Sequence, residues 1–156
     1  MGLGRVTLRR EWIFAMGIAC FAVCVLQIPY AFGYLFARDG SVFTGLLMNP
    51  EDANTYFAKM AQGYQGAWLY TIPFTPEEHA PAFIGGFYLA LGQLARASSL
   101  SVEMMWHLAR VGADAILFLA TYAFIASFVR DPRARGSAYL LALFGSGLGW
   151  LLFILN

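Results

Sequence analysis

An acidic pair followed by a tyrosine is the first feature of the sequence whose residue types suit chemistry. Glu51 and Asp52 are adjacent, and Tyr56 follows four residues after Asp52. Residues four apart share one face of a helix, so a helix here would present a carboxylate and a phenol together. A carboxylate in such a place can act as a general base or as a metal ligand.

The same residues also have the composition of a helix start. Asn49 is a favoured N-cap residue, and Pro50 suits the first helical position. Glu51 and Asp52 would then lie in the first turn, where the helix dipole stabilises an anion by about 0.3–1 kcal/mol. The spacing leaves both interpretations open.

A second group of polar residues lies in the stretch TPEEHAP, residues 75–81. Carboxylate oxygens and imidazole nitrogens are ligands for divalent metals. The candidate ligands are Asp52, Glu77, Glu78 and His79. The structural alternative is a capping box, in which Thr75 and Glu78 are three residues apart and Pro76 takes the first helical position.

A third group interrupts an apolar run. His107, Arg110 and Asp114 would share one face of a helix. Ionisable residues within a membrane span are costly and usually functional, and an arginine can bind a phosphate through two hydrogen bonds. The alternative is that Arg110 and Asp114, four residues apart, neutralise each other on the helix surface.

The composition indicates the environment in which these residues work. Hydrophobic residues make up 60% of the 156 and charged residues 12%, and the mean hydropathy is +0.61. These values predict a membrane protein. Ten basic and nine acidic residues form no basic stripe, so nucleic acid is not an expected partner. The sequence contains no HExxH or CxxC motif, which leaves a zinc enzyme without support.

Three stretches are predicted to span the membrane, because a spanning helix needs roughly 20 apolar residues. They are residues 12–37, 107–129 and 136–156. The first is too long for a cleaved signal peptide and is predicted to be an anchor. It follows Arg5, Arg9 and Arg10, and basic flanks stay in the cytoplasm. We therefore expect a cytoplasmic N-terminus and a location in the cell membrane.

Residues 80–95 are apolar but short, and charge decides their assignment. If they do not cross, Arg130, Arg133 and Arg135 lie on the cytoplasmic side with the N-terminus, as the charge bias favours. The expected fold is therefore an all-α integral membrane domain with three transmembrane helices, or four if residues 80–95 do cross. Residues 38–104 would form an outer loop with two membrane-surface helices, near 50–65 and 81–98.

The order of these features resembles the N-terminal part of the polytopic C-type (GT-C) glycosyltransferases, in particular the protein O-mannosyltransferase and lipid A aminoarabinose transferase group. Members have a first span, a large outer loop, and a surface helix that opens on an aspartate with a tyrosine four residues later. The matching positions are Asp52 and Tyr56, Gly66 to Trp68, Pro81 to Tyr88, and Ala109 with Arg110.

The resemblance implies transfer of a sugar from a polyprenyl-phosphate-linked donor to an acceptor hydroxyl on the outer side of the membrane. Asp52 would be the general base. The implied substrate-binding residues are Glu51, Tyr56, His79 and Arg110. Some members use a divalent metal, for which Asp52, Glu78 and His79 are the candidate ligands, and the lipid bilayer is an expected partner.

Two departures from the family pattern are visible. Members often carry the acidic pair as Asp-Glu, whereas this chain has Glu51 before Asp52. Members also have many more spans, so we expect a fragment or a reduced form of a longer fold, which a membrane partner subunit could complete. The alternative function is that of a non-catalytic membrane subunit or scaffold, in which the acids only stabilise helix starts.

Overall fold

A computed structural model of the chain describes residues 9–37, 40–47 and 49–145. Within these ranges the regular structure is helical, apart from one isolated antiparallel bridge between Tyr70 and Ala82. The helices are α1 (Arg9–Leu35), α2 (Pro50–Tyr64), α3 (Gly86–Ala97), α4 (Val102–Phe128) and α5 (Pro132–Phe144). The prediction of an all-helical fold is therefore confirmed for the described part of the chain.

Two of these helices are long and apolar enough to cross a membrane. They are Arg10–Leu35, with a mean hydropathy of 2.1, and Val102–Phe128, with 1.8. Only 17% and 6% of their most apolar stretches are buried within the chain, whereas a core helix of a water-soluble protein buries most of its apolar face. Their outward apolar side chains suit contact with lipid.

The remaining predicted crossings differ from these two helices. The third predicted span, residues 136–156, coincides with the described structure only over α5, because residues 146–156 lie outside the described ranges. Helix α3 has 12 residues and is about 18 Å long at 1.5 Å per residue, which is shorter than the roughly 30 Å hydrocarbon core. Helix α3 alone therefore cannot cross.

The chain divides into two compact units. Among the described residues, one consists of 9–26 and 113–145, and the other of 27–37, 40–47 and 49–112. The first unit holds the start of α1, most of α4, and α5. The second holds the end of α1, helices α2 and α3, and the start of α4.

The core of the first unit is aromatic and contains an ion pair. Tyr122 and Tyr139 are buried, and Trp12 meets the Tyr122 ring edge to face, with the ring centres 5.3 Å apart. Arg135 is 8% exposed and pairs with Glu11. The same guanidinium donates to the Val129 carbonyl from Nε at 3.1 Å and from Nη2 at 3.0 Å.

The second unit depends on a close contact between α2 and α3. A Cβ atom at Gly63 would overlap the Leu89 carbonyl oxygen, and one at Gly92 would overlap the Met60 carbonyl oxygen and lie 2.7 Å from the Tyr64 nitrogen. The two backbones therefore touch where neither helix has a side chain. Next to this contact, α2, α3 and α4 enclose the core residues Met60, Leu91, Ala95 and Met105.

The two helices predicted for the outer loop are present, with one corrected boundary. Helix α2 begins at Pro50, as predicted, whereas α3 begins at Gly86 rather than near Pro81. Ala82 exchanges two backbone hydrogen bonds with Tyr70, of 2.8 and 3.0 Å, and this pairing keeps the chain extended after Pro81. A helix can begin only after Gly85, which has a left-handed φ of 70°.

The α2–α3 contact predicts a strong effect of a single methyl group. Gly92→Ala should lower the free energy of unfolding by about 1–3 kcal/mol, because the two backbones must separate. The matched control is Gly112→Ala, at a helical glycine whose Cβ would meet no atom within 4 Å. Detergent-titrated unfolding followed by circular dichroism measures both variants. Equal stability of the two would contradict the close contact.

The buried ion pair predicts an asymmetric result in a double-mutant cycle. Arg135→Met should destabilise the chain by about 3–5 kcal/mol, because Glu11 is left without its cation. Adding Glu11→Gln should recover most of that loss, since the uncompensated charge is removed. The same unfolding measurement tests both variants, and a loss below about 1 kcal/mol in the single variant would make the pair an ordinary surface pair.

Candidate functional site

Asp52 lies in the first turn of α2, on the exposed surface of the second unit. Asn49 precedes the helix with a left-handed φ of 47° and makes no side-chain cap hydrogen bond. Asn49 is the N-cap residue and Glu51 and Asp52 lie in the first turn, as predicted, but the expected hydrogen bond of the cap side chain is not formed. Its Nδ2 instead donates to Oδ2 of Asp52, which fixes the orientation of the carboxylate at the helix start.

Asp52 and Tyr56 face the same pocket, as their spacing predicts. The pocket has a volume of about 310 Å³, which falls at the lower end of the range for small-molecule sites. Its lining residues all belong to the second unit: Tyr30, Leu46, Leu47, Asn49, Asp52, Ala53, Tyr56 and Trp106. The arrangement places one carboxylate on a wall that is otherwise mainly aromatic and aliphatic.

Three aromatic rings form a stack at this pocket. Tyr56 stacks on Tyr88 with the ring centres 4.5 Å apart and an angle of 20°. Trp106 lies nearly parallel to both, at 6.1 Å from Tyr56 and 6.2 Å from Tyr88. The sequence did not identify Tyr88 or Trp106 as site residues, because they come from α3 and α4 and only the fold brings them to Tyr56.

Arg110 lies on α4 and contacts Tyr30, one of the residues that line the pocket. The guanidinium carbon is 3.6 Å from the centre of the Tyr30 ring, which is a close cation–π contact. Its Nη2 donates to Oε1 of Gln27 and lies 3.5 Å from Nδ1 of His107. Arg110 therefore bonds across to α1, whereas the interpretation of a neutralising pair along α4 placed its partner at Asp114.

The Arg110 guanidinium also has unused hydrogen-bonding capacity. Its Nε is buried and has no hydrogen-bond partner among the described residues. On the other side of the imidazole, Nε2 of His107 lies 3.0 Å from the Tyr34 hydroxyl. Tyr34, His107 and Arg110 thus form a connected polar group at the end of α1 and the start of α4.

The loop that carries His79 is separate from the pocket lining. His79 Nε2 accepts a hydrogen bond of 2.9 Å from the Ile72 amide, and Nδ1 lies 2.9 Å from the Glu77 carbonyl oxygen. The capping box predicted here is wrong, because no helix begins at Pro76. Thr75 Oγ1 instead accepts from the Glu77 amide at 3.2 Å and closes a short turn.

The metal candidates do not come together in the described structure. Among the described residues, no three side chains of histidine, cysteine, aspartate or glutamate are grouped to hold a metal ion. Both His79 ring nitrogens contact the backbone, and Glu77 and Glu78 are exposed, as is Glu51. The donor set therefore does not fit a divalent metal site.

One cation near the pocket was not predicted from the sequence. Lys59 is only 9% exposed, and its Nζ lies 5.6 Å from the centre of the Tyr56 ring and 5.2 Å from that of Tyr70. The signal that could have found it is position, since Lys59 is three residues after Tyr56 and has apolar neighbours on both sides in the sequence.

Comparisons with models of known protein families, with curated proteins and with solved structures found no match.

The stacked aromatic rings predict that the phenol of Tyr88 ionises at a higher pH than an ordinary tyrosine. Burial raises the pKa of Tyr88, and the neighbouring Tyr56 raises it further. Because the pKa is raised in the folded state, the stability from this group is present below pH 10.0 and is lost as the pH rises above it. The difference in absorbance at 295 nm between wild type and Tyr88→Phe should therefore develop above pH 10.0. A difference centred below that value would contradict the buried phenol.

Proposed function

We propose that the chain is a module of a membrane glycosyltransferase that transfers a sugar from a polyprenyl-phosphate-linked donor to an acceptor hydroxyl on the outer side of the membrane. The observation that carries this proposal is the shared pocket of Asp52 and Tyr56. It supports the general-base role that the resemblance implies for Asp52, because a base needs an open approach for the hydroxyl that it deprotonates.

We further propose three spans with a cytoplasmic N-terminus in the cell membrane, residues 136–156 forming the third. The ion pair between Glu11 and Arg135 supports this topology, because it joins the start of α1 to the segment after α4. The basic flanks on either side, with Arg10 on α1 and Arg130 and Arg133 near Arg135, then share one side of the membrane. That is the distribution expected for cytoplasmic flanks.

The proposed reaction is a single displacement at the anomeric carbon of the donor sugar. The acceptor oxygen forms a bond to that carbon as its proton moves to the Asp52 carboxylate, and the bond to the phosphate oxygen breaks. The polyprenyl phosphate leaves with the electron pair, and the configuration at the anomeric carbon inverts. Asn49 donates to Oδ2 of Asp52, so Oδ1 is the atom that receives the proton.

The surrounding groups have supporting roles in this proposal. The stacked rings of Tyr56, Tyr88 and Trp106 offer flat apolar surface to the C–H faces of the donor. Arg110 supplies a positive charge one ring away from the pocket and would attract the phosphate. Glu51 and His79 keep the substrate-binding roles implied by the resemblance, outside the lining of this pocket.

A second candidate function has a specific observation in its favour. Large aromatic side chains of the outer loop and the start of α3 are exposed: Trp68 by 59%, Phe74 by 63%, Phe83 by 74% and Phe87 by 65%. Such surface suits a non-catalytic membrane subunit that binds lipid or a partner subunit. In that case Asp52 would be dispensable.

The decisive variant is Asp52→Asn, assayed in membranes that contain the full chain. With a radiolabelled polyprenyl-phosphate sugar and a hydroxyl acceptor, transfer should fall by about 10²–10⁴-fold, the usual contribution of a general base. The amount of protein in the membrane should not change, because Asp52 is exposed.

The matched control is Glu103→Gln, which removes another acid from the first turn of a helix, here α4. It should transfer sugar at the wild-type rate. Undiminished transfer by Asp52→Asn would remove Asp52 as the base. Absence of transfer by the wild-type chain in its native membrane, where a partner subunit could complete the fold, would reject the transferase in favour of the subunit function.

A further inference from the structure

Lys59 is a buried cation for which the described residues provide no carboxylate. Its side chain is 9% exposed, and the one ion pair in the described part of the chain joins Arg135 to Glu11. Because most of the residue is removed from water, an anion beside its ammonium would stabilise it. What surrounds Lys59 therefore indicates what it binds.

The end of the Lys59 side chain lies against the start of α3. A Cβ at Gly85 would be 2.7 Å from Lys59 Cδ, 3.0 Å from Cε and 3.4 Å from Nζ. Gly85 is the N-cap residue of α3 and has a φ of 70°. Because Gly85 has no side chain, the Lys59 side chain can lie against it and reach the start of α3.

The start of α3 is itself electropositive. The Tyr88 and Leu89 amides both bond to the Gly85 carbonyl oxygen, at 2.9 and 3.3 Å, so the Gly86 and Phe87 amides precede the hydrogen-bonded ladder. Free amides and the helix dipole make such an end a site for anions. A lysine beside it is unfavourable for the same reason, unless an anion lies between the two.

Tyr70 adds an unused donor to this cluster. Its ring centre is 5.2 Å from Lys59 Nζ, the residue is 4% exposed, and its hydroxyl has no hydrogen-bond partner among the described residues. Burial raises the pKa of Tyr70, so the hydroxyl keeps its proton and can donate. The start of α3 and the Tyr70 ring thus both adjoin the end of the Lys59 side chain, and each brings donors that have no partner among the described residues.

We propose that Lys59, the N-terminus of α3 and Tyr70 form a binding site for a phosphate oxyanion. The phosphate belongs either to a lipid headgroup or to a soluble phosphate compound, and both present the same oxygens to these donors. The site is separate from the Asp52 carboxylate and does not depend on the proposed sugar transfer. It gives an anionic partner to a lysine whose ammonium lies near the Tyr56 and Tyr70 rings.

The test measures binding by the full chain in micelles of an uncharged detergent. Isothermal titration with inorganic phosphate, against sodium chloride of equal ionic strength, probes a soluble ligand. A parallel titration with phosphatidylglycerol tests a lipid headgroup. Diacylglycerol is its control, because it has the acyl chains without the phosphate. We expect saturable binding of at least one of the two phosphate probes.

Variants attribute that binding to the named groups. Lys59→Met should weaken it by about tenfold or more, as expected for the loss of a charged hydrogen bond. Tyr70→Phe should weaken it about threefold to tenfold, and it retains the packing if Lys59→Met fails to fold. The matched control is Arg96→Gln, which removes one exposed positive charge from the other end of α3 and should bind like wild type.

Each outcome is decisive. Inorganic phosphate binding that depends on Lys59 or Tyr70 assigns a soluble phosphate ligand, and phosphatidylglycerol binding alone with the same dependence assigns a lipid headgroup. The proposal is overturned if the wild-type chain binds neither probe. It is also overturned if the folded Lys59 and Tyr70 variants bind as tightly as wild type, since the two aromatic rings would then suffice to stabilise Lys59.

Discussion

The close contact of α2 with α3 determines where the functional groups of these two helices lie. Gly63 and Gly92 let the two backbones touch, and no larger residue would allow that approach. Asp52, Tyr56 and Lys59 are all on α2. Tyr56 meets Tyr88, and Lys59 meets the start of α3, only because the helices are this near. The two glycines therefore help to set the positions of the pocket and of the lysine.

The sequence predicted the parts of the fold that depend on local composition and length. Two long apolar runs became helices that could cross a membrane, and Pro50 marked the start of α2. The start of α3 was missed because of the bridge between Tyr70 and Ala82, which joins residues 12 apart. The bridge holds in an extended conformation a stretch that composition alone favours as helix. A pairing of that kind has no local signal.

The candidate site was predictable where one helix supplies it and unpredictable where several do. Asp52 and Tyr56 reached the same pocket because residues four apart on a helix share a face. Trp106 and Tyr30 come from α4 and α1, and their approach to Tyr56 depends on tertiary packing. The partner of Arg110 was unpredictable for the same reason, since a residue four positions away is visible in the sequence and Gln27 is not.

The Glu11–Arg135 pair determines when the first unit can be completed as the chain is synthesised. Its partners are 124 residues apart in the chain, and at about 5–20 residues per second the second partner is made roughly 6–25 s after the first. All residues of the second unit, 27–112, are synthesised within that interval. The carboxylate at the start of the first apolar helix must therefore stay near water or lipid headgroups until its arginine arrives, so the first unit is the last to be completed.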